Sequence, residues 1–122
     1  MRLLIDEKRE IFTEPYYFKL FKLHESYLLL ISNERDMGIG SVYMSLPSTI
    51  QGLPPSSANY GLFGMGRDLL GKVISEQCSS FLKAPTLLLL FLKTKLKDEK
   101  IVKPLVNALN DMLKTIENDL DK

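Results

Sequence analysis

Two short, almost uninterrupted apolar runs, residues 27–31 and 86–92, constrain the fold of this chain more than any other feature. Both are far shorter than the roughly 20 apolar residues that a membrane-spanning helix needs. Short continuous apolar runs are typical of strands that are covered on both faces of a sheet. The sequence therefore predicts a sheet that contains two buried strands.

Three further segments have the character of strands. Residues 16–23 are rich in aromatic side chains with interspersed lysines, and residues 41–46 can present alternate side chains to opposite faces. Residues 60–63 form a third, shorter candidate. Asn, Asp and Gly between residues 33 and 38 indicate a turn. Because the first strands follow one another through short turns, we expect hairpins and a largely antiparallel sheet.

The hydrophobic period changes in the second half of the chain. Apolar residues recur every three or four positions from about residue 66 to 82 and from about 101 to 120, which predicts two amphipathic helices. Both helices must hide their apolar stripes on the sheet. The predicted fold is α+β, a mostly antiparallel sheet with two main amphipathic helices packed on it, in the order β-β-β-β-α-β-α. We expect a single domain over residues 1–122, with a Pro- and Ser-rich surface loop at 47–59.

The composition excludes several classes of function. Sixteen basic and fifteen acidic residues among 122 leave a net charge of +1, whereas nucleic-acid binding relies on clustered, uncompensated cations. The single cysteine, Cys78, cannot form an intrachain disulfide or a CxxC metal site. The N-terminal residues are charged where a signal peptide needs an apolar run. We therefore expect no nucleic-acid or membrane partner, and a reducing, cytosol-like compartment.

One segment comes close to a nucleotide-binding motif. Residues 66–73 nearly match the P-loop pattern G-x-x-x-x-G-K-S/T, but Val73 stands where magnesium binding requires a hydroxyl. Cys78 falls on the apolar stripe of the first helix, as is typical of a buried, inert thiol. His24, the single histidine, falls in a predicted turn. The sequence shows no catalytic constellation, and we predict a protein that is not an enzyme, with no cofactor and no metal.

Aromatic residues of the predicted sheet are the first candidates for protein contacts. Simple alternation places Tyr17, Phe21 and Tyr43 on the face opposite Phe18, Leu20 and Met44. Two helices cannot easily cover both faces of such a sheet, so an aromatic-rich face is left for association. The alternative is a second, smaller core under the 47–59 loop or the N-terminal segment.

A lysine-rich segment supplies the second candidate. Lys93, Lys95 and Lys97 alternate along the chain beyond the second apolar run. They are interpreted either as a docking strip for an acidic protein surface or as a solvated strand end. The predicted partner-binding residues are thus Tyr17, Phe21, Tyr43, Lys93, Lys95 and Lys97.

The order of elements resembles that of the small eukaryotic proteasome assembly chaperones, namely the third and fourth members of that group and their fungal counterparts, and is most similar to the fourth. The likeness covers roughly residues 16–117. In place of the family's Ser/Thr-rich stretch before the first helix, this chain carries residues 59–67. The resemblance rests on the strand pair 16–23 and 27–32, the Ser-rich strand 42–48, the piece Tyr60-Gly61-Leu62-Phe63-Gly64, the helix 66–82, the strand 86–92 and the closing helix.

The resemblance implies a non-catalytic chaperone that forms a heterodimer with a paralogous chaperone. The pair would bind a subunit of the proteasome α-ring during early assembly of the core particle and leave before maturation. It also implies a cytoplasmic location, with the nucleus as an additional one. The alternative is a small adaptor of the roadblock or longin sort in a trafficking or signalling scaffold, although roadblock domains begin with a helix and the first clear elements here are strands.

Overall fold

The computed structural model describes residues 1–47, 56–61 and 68–117, and the side chains of 1–47 and 69–117. These residues form six strands and two helices, so the α+β class is confirmed. The predicted order of elements is also confirmed, with one further strand at its start. The elements are β1 (Arg2–Ile11), β2 (Glu14–Leu23), β3 (Ser26–Ser32), β4 (Ser41–Leu46), β5 (Ser56–Gly61), α1 (Asp68–Leu82), β6 (Thr86–Phe91) and α2 (Asp98–Ile116).

The six strands form one sheet in the order β1-β2-β3-β6-β4-β5. β3 and β6 run parallel, and the other four neighbouring pairs are antiparallel. β6 therefore lies between the β1–β3 meander and the β4–β5 pair. The two apolar runs that dominate the sequence are thus the two central strands of the sheet, which confirms that both form strands.

The additional strand, β1, lies at an edge of the sheet and has little hydrophobic pattern of its own. Of its ten residues, Ile5 and Ile11 alone are buried. Pairing with β2 stabilises β1, and a two-residue turn at Phe12 and Thr13 connects the two strands. Neither turn residue is one of the usual hairpin signals, Asn and Gly, so this hairpin has no local signal in the sequence.

Both helices pack on one face of the sheet, which we call the covered face. α1 contacts β4, β5 and β6, whereas α2 contacts α1 and β1. Burial of apolar side chains on this face is the main stabilising contribution to the fold. A central row on the covered face crosses five strands, and each side chain in it is at most 4% exposed: Ile5, Leu20, Leu29, Leu88 and Tyr43.

The prediction that residues 27–31 and 86–92 are covered on both faces is wrong for alternate residues. Leu29 and Leu88 are fully buried on the covered face, but Leu28 and Leu87 are half-buried on the other. An apolar sequence on both faces does not require two layers of helices. An apolar sequence on both faces also occurs where one face of the sheet carries no helices and stays partly exposed.

Small residues on α1 bring this helix unusually close to β4. A Cβ atom added at Gly71 would lie 2.1 Å from Cζ of the buried Tyr43, far inside van der Waals contact. Two turns further along α1, the Ser79 hydroxyl lies 2.9 Å from that of Ser45. Gly71, Ser75 and Ser79 thus form a narrow ridge at four-residue spacing. Packing explains Gly71, the second glycine of the P-loop near-match, because it lies inside α1 and against the ring of Tyr43.

The predicted loop at residues 47–59 ends earlier than expected. β5 begins at Ser56 and pairs along β4 from Leu46 back to Ser41. Residues 48–55 of the predicted loop, and residues 62 and 63 of the predicted short strand, lie outside the described residues.

Candidate protein-interaction surface

The sheet face opposite the helices, the open face, carries a row of large apolar side chains that crosses five strands. The register pairs Leu3 with Phe21, Phe21 with Leu28, Leu28 with Leu87, and Leu87 with Met44. Leu3 and Met44, at the two ends of this apolar row, are each 48% exposed, and the three residues between them are half-buried. The apolar row is therefore the candidate protein-interaction surface of the described residues.

A second row on the open face changes character from one side to the other. Leu30, Leu89 and Val42 are paired neighbours and extend the apolar surface. On β2 and β1 the same row continues with Lys19 and Asp6. This corner borders a cleft of about 360 Å³, which is lined by Asp6, Glu7, Lys8, Tyr17, Lys19 and Arg35.

Two of the predicted aromatic residues lie where alternation placed them. Tyr17 and Phe21 lie on the open face, whereas Phe18 and Leu20 are buried on the covered face. Phe21 belongs to the apolar row. Tyr17 borders the charged cleft, with Nζ of Lys8 6.0 Å from the centre of its ring. Their role in binding a partner stays a prediction.

The predicted placement of Tyr43 is wrong. Tyr43 is 1% exposed and pairs with Leu88, so it belongs to the covered face, while Met44 takes the open face. Alternation along β4 divides its side chains between two faces, but it does not determine which face the helices cover. The small-residue ridge of α1 decides the question, because it leaves room above β4 for the ring of Tyr43. Tyr43 is therefore a core residue in this structure.

The three predicted lysines are exposed on the connection between β6 and α2, where Thr94 and Leu96 point inward. Lys93 borders the open face, with its Nζ 5.4 Å from the centre of the Phe91 ring. Asn33 holds this connection, since the Lys93 N–H donates to Asn33 Oδ1 at 2.7 Å and Asn33 Nδ2 donates to the Lys93 carbonyl at 2.8 Å. Lys95 and Lys97 extend from the connection itself, and their binding role stays a prediction.

Sequence reasoning missed most of the apolar row. Leu28 and Leu87 were assigned to strands covered on both faces, and Leu3 lies in the strand that was not predicted. Met44 could have been found from the four-residue spacing of Gly71, Ser75 and Ser79. Such a stripe of small residues indicates a helix that closely approaches a neighbouring strand.

The single cysteine, Cys78, lies in the core. Burial raises the pKa of the Cys78 thiol to about 12, against a weaker opposing hydrogen bond from Thr86, so the thiol stays protonated and unreactive near neutral pH. This confirms the predicted buried cysteine. Within the residues described, no three His, Cys, Asp or Glu side chains are grouped so as to hold a metal ion. Neither helix of this part of the chain is long and apolar enough to cross a membrane.

Comparison with known proteins identifies the fold. The chain is similar to one from the crystal structure of a chaperone complex for yeast 20S proteasome assembly, with a TM-score of 0.59 and a coverage of 98% of this chain and 99% of that one. The two sequences are 11% identical, so the likeness is one of fold. No protein-family model and no curated protein sequence matches this chain.

Proposed function

We propose that this chain is a non-catalytic chaperone for assembly of the proteasome core particle. The observation that carries the proposal is the match to a proteasome assembly chaperone over almost the full length of both chains. Coverage of 98% of this chain and 99% of that one means that the likeness involves the whole fold and not a single motif.

The open face supports a function that acts through protein contact. Its apolar row, from Leu3 to Met44, is a surface that a soluble protein keeps at a cost in solubility unless a partner covers it. We propose that a paralogous chaperone of similar fold covers this face, so that the functional unit is a heterodimer. The heterodimer would then bind an α-ring subunit, in the cytoplasm or the nucleus, and hold it during ring assembly.

Affinity capture tests this proposal. The tagged chain is expressed at its natural level in the source cells, and the proteins captured with it are identified and quantified by mass spectrometry. We expect one small paralogous chaperone at a ratio near one to one, together with α-ring subunits. Capture of trafficking or signalling complexes instead would support the roadblock or longin alternative.

A matched variant separates specific from adventitious capture. Met44→Glu places a charge in the open face, whereas Leu69→Glu places one at a similarly exposed leucine of α1, since these side chains are 48% and 55% exposed. We expect the first variant to lose the paralogue and the second to keep it. Equal capture by both variants would remove the open face from the proposal.

A further inference from the structure

The turn between β1 and β2 contains a bulky aromatic residue in a backbone conformation that such residues rarely adopt. Phe12 has a φ of 52° and Thr13 a φ of 65°, between the paired residues Ile11 and Glu14. Two consecutive positive φ angles in a two-residue hairpin are the mark of a type I′ turn, for which Asn-Gly is strongly preferred. For aromatic and β-branched residues a positive φ is a genuine outlier, and it costs stability.

Burial against the described residues offsets little of this strain at Phe12. It is 56% exposed at the tip of the hairpin, although a buried ring of this size is among the most stabilising side chains in a core. A residue that breaks a local conformational rule without a local benefit points to a function.

The base of the hairpin is held firmly. Ile11 is buried, and the Thr94 hydroxyl donates to Oε1 of Glu14 at 2.6 Å, which ties the hairpin to the connection after β6. Phe12 is therefore presented on a fixed support. A rigid aromatic anchor loses little conformational entropy on binding, and such anchors dominate the energetics of protein interfaces.

We infer that Phe12 is an anchor that inserts into an apolar pocket of a partner protein. The tip is a surface separate from the apolar row. Leu3 and Phe12 lie at opposite ends of β1, roughly 30 Å apart at about 3.3 Å per residue. A contact with the paralogue that is centred on the apolar row does not require the tip, and we assign the tip to a second partner. This inference rests on the proposed function for the identity of its partner, the α-ring subunit.

The surroundings of the tip suit a protein pocket better than a lipid surface. Glu10, which is exposed, and Glu14 flank the turn on its two sides, and carboxylates oppose contact with anionic headgroups. Exposed Lys93 and Lys95 lie on the connection that Thr94 ties to Glu14, so the charges near the hairpin are of both signs, as in the polar rim of a protein interface. A single ring also buries too little apolar surface to anchor a chain in a membrane, where stable attachment takes two signals.

Two substitutions separate the ring from the strain. Phe12→Asn removes the ring and introduces a residue that suits the turn, whereas Thr13→Gly relieves the turn and keeps the ring. Both variants should unfold at a higher temperature than the wild type. Leu69→Asn serves as the control for loss of an equally exposed apolar side chain.

The experiment captures the tagged full-length variants from the source cells and quantifies the paralogue and the α-ring subunits separately. We expect Phe12→Asn to keep the paralogue and to lose at least tenfold in α-ring subunits, which corresponds to about 1.4 kcal/mol of binding. Thr13→Gly and Leu69→Asn should capture both partners as the wild type does.

Four results would overturn the inference. The first is a Phe12→Asn variant that captures α-ring subunits as well as the wild type does, and the second is a Thr13→Gly variant that loses as many α-ring subunits as Phe12→Asn. The third is a Phe12→Asn variant that loses the paralogue together with the α-ring subunits. The fourth is binding of the wild-type chain to phosphatidylserine vesicles that is abolished in Phe12→Asn. If the wild-type chain captures no α-ring subunit, the proposed function fails and the inference fails with it. That result is distinct from failure of the anchor alone.

Discussion

Replacement of Gly71 by alanine tests the close packing of α1 on the sheet. In an open helix this substitution stabilises by about 0.5–1 kcal/mol, because glycine loses more backbone freedom on folding than alanine does. Here the new Cβ would lie 2.1, 2.2 and 2.4 Å from Cζ, Cε2 and Cε1 of Tyr43. Ordinary contact between carbon atoms begins near 3.5 Å. Helix and ring must therefore separate by more than 1 Å.

The magnitude follows from these opposing terms. Overpacking in a core costs typically about 1–3 kcal/mol, and occasionally more. The Tyr43 ring is 1% exposed and cannot swing into solvent, so the upper part of that range applies. After the gain in helix propensity, we expect a net loss of about 2 kcal/mol. With an unfolding entropy of roughly 2.1 cal/mol/K per residue, this loss corresponds to a fall of about 8 °C in the midpoint of thermal unfolding.

The assay is chemical denaturation followed by circular dichroism, with a double-mutant cycle. Tyr43→Leu makes room for the new methyl group, so Gly71→Ala should cost at least about 1 kcal/mol less in that background than in the wild type. Ser80→Ala, at an exposed position of α1, controls for helix propensity alone. A Gly71→Ala variant as stable as the wild type, or more stable, would refute the close packing that places Tyr43 in the core.

Three further predictions concern other parts of the molecule. Cys78 should resist thiol reagents in the native protein at pH 8 and react on unfolding. Because its pKa rises from 9.0 to about 12 on folding, the stability of the wild type relative to Cys78→Ala should be constant below pH 9 and fall by about 1.4 kcal/mol per pH unit above it. A stability difference that stays constant above pH 9 would contradict the burial of the thiol. Met44→Glu should lower the free energy of unfolding by about 1 kcal/mol or less, as expected for a half-exposed position, yet abolish capture of the paralogue. A variant that fails to fold would show instead that Met44 stabilises the core. Asn33→Ala should cost about 1–2 kcal/mol in urea denaturation through the two hydrogen bonds to Lys93, and unchanged stability would show that these bonds contribute nothing.

The elements with a strong internal pattern could be predicted from the sequence. The stripe of α1 predicted residues 66–82 and the structure has Asp68–Leu82, while the second apolar run predicted 86–92 and the structure has Thr86–Phe91. The helix follows from the three- and four-residue recurrence of its apolar side chains, and the strand from the short length and continuity of its apolar run. Cys78 could be placed in the core for the same reason, since it shares the buried side of α1.

What could not be predicted depends on contacts between elements. β1 exists because it pairs with β2, and its own charged residues hide the pattern. The faces of Tyr43 and Met44 depend on how closely α1 approaches β4, and the signal for this approach lies in the small residues of α1 and not in β4 itself. The strained turn at Phe12 could not be predicted from the sequence, because the strain is visible only in the backbone angles. The candidate surface was therefore predicted in part, through Tyr17 and Phe21.

The native mass of the complex that contains this chain is the most direct test of the proposed role in proteasome assembly. The tagged chain is purified gently from the source cells, its complex is measured intact by native mass spectrometry, and each component is then identified after dissociation. The account predicts one copy of this 13.9 kDa chain, one paralogous chaperone and at least one proteasome α-ring subunit. A complex that holds this chain alone, or with partners from outside the proteasome, would contradict it.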